Sequence, residues 1–239
     1  MPSPTSPQRE RRHVGLSRTD VIREATAIVN EGGGAALTMR ALAARLGVAT
    51  TNIYWHVGDR EELIAALVDD AAGPLAHTAI TGSTAEARIA ALLALLWDTA
   101  VANRRVVALA HAEGYTARWA MPLELRLAAE LEAANVRGAK NRDALRTLLA
   151  CTSGFLVLAF RSDAPIAADQ AAPDSPRSAA HDAWRILVTT EPAALRAAGL
   201  SKRTATALTE PANFKALFHA TVRNLLPALL TPAKPLRST

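Results

Sequence analysis

A single cysteine, Cys151, stands in a chain of 239 residues, so an internal disulfide framework is excluded. A small, buried, apolar role is expected of that thiol. Aromatics are scarce too: four Trp, two Tyr and four Phe, 4% of the chain. No charge-free apolar run of bilayer-crossing length is expected, and the N-terminus lacks the apolar core of a secretory signal. Neither sign of charge dominates: 27 Lys and Arg against 22 Asp and Glu, a formal +5. That excess permits a polyanionic partner without demanding one. The expected setting is the reducing cytoplasm, with no membrane partner. Half of the residues are hydrophobic, enough for a substantial core.

Strand-like alternation is lacking over any useful length, and no internal repeat emerges. Apolar residues recur at helical spacing instead, so the expected class is all-α. Residues 1–16 are rich in Pro, Ser and Arg and read as a disordered basic arm. Ordered structure is expected from Ser17, whose spacing to Asp20 is that of a capping box. Four short helices then fit between residues 17 and 73, punctuated by Gly33, Gly47 and Gly58 and closed by Gly73 and Pro74. From 74 to 230 the helices become longer and rich in Ala and Leu. Expected starts there are a Ser83–Glu86 cap pair, Pro122 and Asn141. A Pro/Asp/Ser-rich segment from Ser162 reads as a mobile loop, with helical pattern again from about Ala180. The last strong helix is expected from Pro211 to Leu230, with Pro227 ending or kinking its last turn. Residues 231–239 read as a flexible tail.

The few aromatics are not spread evenly. Tyr54 and Trp55 are adjacent, and His56 follows, within "TTNIYWHV". The preceding stretch explains the crowding. Two short helices can cross steeply only if a small residue sits at their contact, a Gly supplies the turn and an apolar side chain plugs the angle. Ala43, Gly47 and Ile53 have that spacing, with Leu42, Leu46 and Val48 around them. This is the helix-turn-helix pattern, which leaves the outer faces of the second helix free for a DNA major groove. A helical hairpin with no DNA role accounts for the apolar positions. It leaves unexplained the Thr, Asn, Tyr, Trp and His on the faces left over.

The segment "LTMRALAARLGVATTNIYWHVGDREELIAALVD" resembles the DNA-binding domain of the tetracycline-repressor (TetR) family, from about Leu16 to Asp70. The "LGV" and "IYWHV" runs look close to those of the member that gives the family its name. The resemblance implies an N-terminal helix-turn-helix domain, residues 17–73, and a larger helical ligand-binding and dimerisation domain, residues 74–230. It implies DNA contacts from Arg40, Thr50, Thr51, Asn52, Tyr54, Trp55, His56 and Arg60. Arg40 matches an arginine that reaches a base edge or a phosphate. The rings of residues 54–56 match groove-wall positions. Arg60 takes a place where the family usually has a Lys beside a helix N-terminus, an arrangement suited to phosphate. Met39 and Ala49 stand where the namesake has polar readers, so a different operator is expected.

The second domain is less explicit. The helix after Asn141 and the last helix are apolar nearly all round, which requires burial on two sides. One side suits the domain's own core and the other a twin subunit, so a homodimer is expected on a palindromic operator. Trp97, His111, Tyr115, Trp119 and Phe155 are candidate ligand contacts. His111 matches a magnesium-binding histidine of the namesake. However, Leu93 replaces an amide there, and Ser162, beside Asp163, replaces a carboxylate. A lone His is weak metal evidence, so no cofactor or metal is expected, and the ligand is expected to be a small, largely apolar inducer.

No G-x-S-x-G, H-E-x-x-H or P-loop motif occurs. His111 and Glu113 are two apart and do not share a helical face, and His181 and Asp182 are adjacent. The chain is therefore expected to be no enzyme but a ligand-responsive repressor of double-stranded DNA. The alternative is a helix-turn-helix activator or DNA binder without small-molecule control.

Overall fold

The structure, a computed structural model, describes residues 15–162, 199–209 and 212–231. Among them every regular element is helical and no strand is present. The all-α expectation therefore holds. Ser162, the expected start of the loop, is the last residue of a helix. The rest of that expected loop to residue 179, the pattern resuming at Ala180 and the His181–Asp182 pair lie outside the described residues, as do most of the N-terminal arm and the C-terminal tail.

Local chemistry sets the first helices. α1 (Arg18–Gly32) starts at Ser17, whose side chain accepts from the Asp20 amide while the Asp20 carboxylate accepts from the Ser17 amide. Gly33, at φ 75°, ends it. A 3-10 turn (Gly34–Ala36) leads to α2 (Met39–Leu46), capped by the Thr38 hydroxyl on the Ala41 amide. Next come α3 (Thr50–Val57) and α4 (Arg60–His77), the latter with a second capping box from Asp59 and Glu62. The Ser17–Asp20 cap falls where the sequence placed it.

Beyond α4 several starts differ. α5 (Ala85–Ala102) is capped by Thr84, whose hydroxyl accepts from the Ala87 amide, one residue after Ser83. α6 (Arg104–Ala112) follows directly. α7 (Thr116–Ala133) begins six residues before Pro122, and α8 (Ala139–Ser162) begins two residues before Asn141. α9 (Lys202–Thr209) and α10 (Phe214–Leu230) complete the described elements, with Asn213 capping α10.

Three prolines expected to start, end or bend helices lie inside them: Pro74 in α4, Pro122 in α7 and Pro227 in α10. A proline inside a helix cannot donate to the carbonyl four residues back. Here those residues, Asp70, Arg118 and Arg223, are all exposed. Water can take the freed carbonyl, so the helices continue.

The chain forms two compact units. The first gathers the described residues up to Thr78 together with Ala102–Leu123. It therefore holds α1 to α4, α6 and the start of α7, more than the span up to Gly73 read from the sequence. Its core includes Val21, Leu37, Leu42, Ile53, Leu63 and Val106, each essentially buried. Full burial of such a side chain stabilises by roughly 1.5–3 kcal/mol. The second unit gathers Ala79–Val101 with the described residues from Glu124 on. There Trp97 stacks on Phe218 at 4.9 Å between ring centroids, and Phe155 meets the same ring edge-on at 6.1 Å. Asn141, buried, donates from Nδ2 to the carbonyls of Ala128 and Val136, tying α8 to the end of α7 rather than capping a helix.

Among the described residues α8 is the helix long and apolar enough, by overall composition, to cross a membrane, but Lys140, Arg142, Asp143 and Arg146 lie in it, so it holds no charge-free run of bilayer-crossing length. Of its most apolar window, within Ala139–Phe160, 22% is buried within the chain. Much of an apolar helix is thus left exposed on the single chain.

Candidate nucleic-acid interface

The turn between α2 and α3 carries the site. Gly47 takes φ 68° and ψ 33°, the left-handed conformation that a residue with a Cβ adopts only at a cost. Its amide donates to the Ala44 carbonyl, and the next amide, of Val48, donates to the Ala43 carbonyl at 3.1 Å. This pair of bonds closes α2 with a Schellman motif and turns the chain straight into α3.

α3 has a division of faces visible in its burial. Ile53 is fully buried and Val57 nearly so, plugging the angle against α1, α2 and α4. On the other faces Thr51, Asn52, Tyr54 and Trp55 are exposed, and Thr50 and His56 are half-buried. Trp55 is 88% exposed and Tyr54 50%. Exposing a Trp that could be buried forgoes a large hydrophobic gain. Core packing therefore does not account for Trp55, while Tyr54 is half covered and straddles the border between core and surface. Arg40, on α2, is exposed and has no ion-pair partner among the described residues. The structure thus brings Arg40 and the α3 residues onto two consecutive short helices held by one turn.

The frame behind α3 is cross-linked by charge. Arg45 on α2 donates to Glu31 at 2.6 and 2.7 Å and to Glu24 at 3.0 Å, tying α2 to α1. That contact holds the Glu31 carboxyl below its usual range and raises the Arg45 guanidinium further. Arg105 of α6 donates to the Glu31 carbonyl at 2.8 Å. Arg118 of α7 forks onto Asp69 of α4 at 2.5 and 2.6 Å.

Arg60 is placed differently from the expectation. It begins α4, but its Nη2 donates to the Glu113 carboxylate at 2.7 Å. That hydrogen bond lowers the Glu113 carboxyl and raises Arg60. The helix N-terminus beside it is already served by its own capping carboxylates, Asp59 and Glu62. A phosphate at this point would meet anions already in place. Sequence reading missed the pairing of Glu113 with Arg60, because it joins residues 53 apart.

The five candidate ligand contacts fall in both units. Trp97 is buried and, with Phe155, packs on Phe218 in the second unit. His111, Tyr115 and Trp119 belong to the first. Trp119 is buried, His111 Nδ1 lies 3.2 Å from the Thr116 hydroxyl, and the Tyr115 hydroxyl donates to the Glu61 carbonyl at 3.4 Å. Leu93 is buried in the core of the second unit. Among the described residues no three His, Cys, Asp or Glu side chains gather into a metal-sized group. A cleft of about 380 Å³ in the second unit lies between α5 and α10, walled by Ala87, Ala90, Val222 and Leu226 with His219 and Arg223 at its polar edge. None of the candidate ligand residues lines it.

Residues 21–67 match the family model described as bacterial regulatory proteins, tetR family. No curated protein matches the chain. Solved structures share the fold along most of its length. SCO7222, a TetR transcriptional regulator from Streptomyces coelicolor, superposes with a TM-score of 0.64 at 22% identity, covering 90% of this chain and 98% of its own. ActR, a TetR family protein of Streptomyces coelicolor solved with (S)-DNPA, gives 0.58 at 17% identity over 90% and 98%. Mycobacterium smegmatis BioQ gives 0.57 at 23% identity over the same shares.

Proposed function

We propose that this chain, whose residues 21–67 match the tetR family of bacterial regulatory proteins, is a ligand-responsive DNA-binding repressor. It binds a palindromic operator as a homodimer and is released by a small, largely apolar inducer. The observation that carries the DNA half is Trp55, 88% exposed beside Tyr54 on a helix whose Ile53 is fully buried. A side chain that large, carried on a packed helix and left out of the core, suits a groove wall. There a ring N–H reaches a phosphate oxygen while the ring body packs on sugar or a thymine methyl. Arg40, Thr50, Thr51, Asn52, Tyr54 and His56 complete the contact set, and Arg60 joins it once it leaves Glu113.

The dimer rests on α8 and α10. They pack on each other in the second unit, yet Val157 is 42% and Leu217 47% exposed. Apolar residues left on both helices support a twin subunit across them. A two-fold pair of recognition helices reads half-sites spaced by whole helical turns, about 34–36 Å each. For release, the inducer must bind the state that does not fit DNA more tightly than the state that does. ActR, a protein of the same fold, was solved with the small molecule (S)-DNPA, which supports a small-molecule ligand here. The chain works without catalysis, in the cytoplasm where its DNA lies.

Selection of genomic fragments by the purified protein tests this reading. Two-fold sites should emerge, and affinity should fall steeply with salt as phosphate contacts release counterions. Fragments without inverted symmetry, or a flat salt response, would sink it.

A further inference from the structure

The contact between α4 and the end of α6 does more than join two helices. Arg60 follows the last residue of α3 by three positions, so its backbone lies within about 10 Å of that helix end. Its side chain is long, permanently charged and partly exposed. It is the first cation after the exposed ring face of α3. In the free protein this cation is neutralised: Glu113 Oε1 accepts from Arg60 Nη2 at 2.7 Å. Two further residues of the first unit bond to α4 nearby. The Tyr115 hydroxyl donates to the carbonyl of Glu61, next to Arg60, and Arg118 forks onto Asp69 two turns further along α4. These contacts hold the chain just after Glu113 against α4, on the same side as Arg60.

A carboxylate and a phosphate oxygen compete for one guanidinium, because both use its N–H fork. We propose that Glu113 is an internal competitor for DNA: it occupies Arg60 in the free protein, and a backbone phosphate must displace it on binding. This rests on the DNA-binding reading above. Glu113 thereby sets affinity without touching DNA, and any shift of the end of α6 that draws Glu113 away spares the phosphate that competition. The neighbouring carboxylates of Asp59, Glu61 and Glu62 stay on α4 in either state. The swap is therefore specific to Glu113.

The test measures binding to a fluorescein-labelled 30-base-pair duplex, taken from sites selected by the wild-type protein, across a salt series. Glu113→Gln keeps the size and removes the charge. It should tighten binding about threefold to tenfold at low salt and leave the salt slope near wild type, because Arg60 meets the same phosphate in both complexes. Arg60→Gln should weaken binding. Adding Glu113→Gln to Arg60→Gln should then give no gain, because the pair acts as one unit. A gain that survives in the Arg60→Gln background would mark a general charge effect and overturn the proposal. So would weaker binding by a Glu113→Gln protein whose thermal unfolding matches wild type, since Glu113 would then position Arg60 rather than withhold it. Unchanged binding by Glu113→Gln would also end it, with the DNA reading intact. If wild type and Trp55→Ala bound the duplex equally, the DNA reading itself would fail.

Discussion

Arg45 on α2 and Glu31 at the end of α1 form a two-pronged ion pair, Nη1 and Nη2 meeting the two carboxylate oxygens at 2.6 and 2.7 Å. The hydrogen bonds from Arg45 hold the Glu31 carboxyl below its ordinary range. A carboxyl depressed on folding stabilises the fold fully above its unfolded pKa, about 4.3 for Glu. That contribution is lost as pH falls through the lower folded value. Thermal unfolding followed from pH 6 to 3 should show wild type losing more stability than Glu31→Gln in the acid range. Because the pair is open to solvent, the difference should be small and should shrink in high salt. Parallel pH profiles for the two proteins would show that the pair contributes nothing to folding.

The neighbours Ile53 and Trp55 should separate folding from binding. Ile53 is fully buried and Trp55 is 88% exposed. Ile53→Ala should cost about 2–5 kcal/mol by leaving a cavity in the first unit. Trp55→Ala should leave the melting temperature near wild type and weaken DNA binding at least tenfold. Denaturant unfolding and a mobility shift at fixed salt read the two effects separately. A large loss of stability in Trp55→Ala would mean that its ring packs on the domain after all.

The front of the chain was legible because its signals are local. Capping pairs three residues apart, such as Ser17 with Asp20 and Asp59 with Glu62, settle helix starts without reference to anything distant. The turn at Gly47 is equally local, and so is the split between Ile53 and Trp55, set by helical periodicity. What stayed hidden depends on long-range placement. Asn141 looked like a cap, yet its amide is used on Ala128 and Val136. Pro122 looked like a helix start, yet an exposed residue four positions earlier lets α7 run through it. Arg60 looked free for phosphate, and only the folded chain brings Glu113 to it. The ligand residues were the least legible, since the packing that consumes Trp97 comes from Phe218, more than a hundred residues away.

Gly47 offers a test of the turn itself. At φ 68° an alanine pays the left-handed penalty of roughly 1–2 kcal/mol. Gly47→Ala should therefore lower stability by about that amount, and Gly47→Asn by less, because Asn tolerates this region better. Both should lose affinity for DNA to the extent that α3 is tilted away. Equal stability of Gly47→Ala and wild type in urea would show that the turn can relax to another geometry.

Val157 on α8 and Leu217 on α10 test the proposed dimer. They are 42% and 47% exposed on the single chain. A stable two-fold interface buries about 800 Å² on each partner, and apolar side chains at its centre tolerate no unpaired charge. Sedimentation equilibrium at micromolar concentration should give a dimer for wild type and a monomer for Val157→Glu or Leu217→Glu. Each variant should keep its helical circular dichroism, since neither residue is in the chain's own buried core. The monomers should also lose the affinity that comes from holding two half-sites at once, so operator binding should fall by far more than tenfold. A wild-type protein that stays monomeric while saturating its operator would overturn the dimer. A dimer untouched by both charges would move the interface to another face of the second unit.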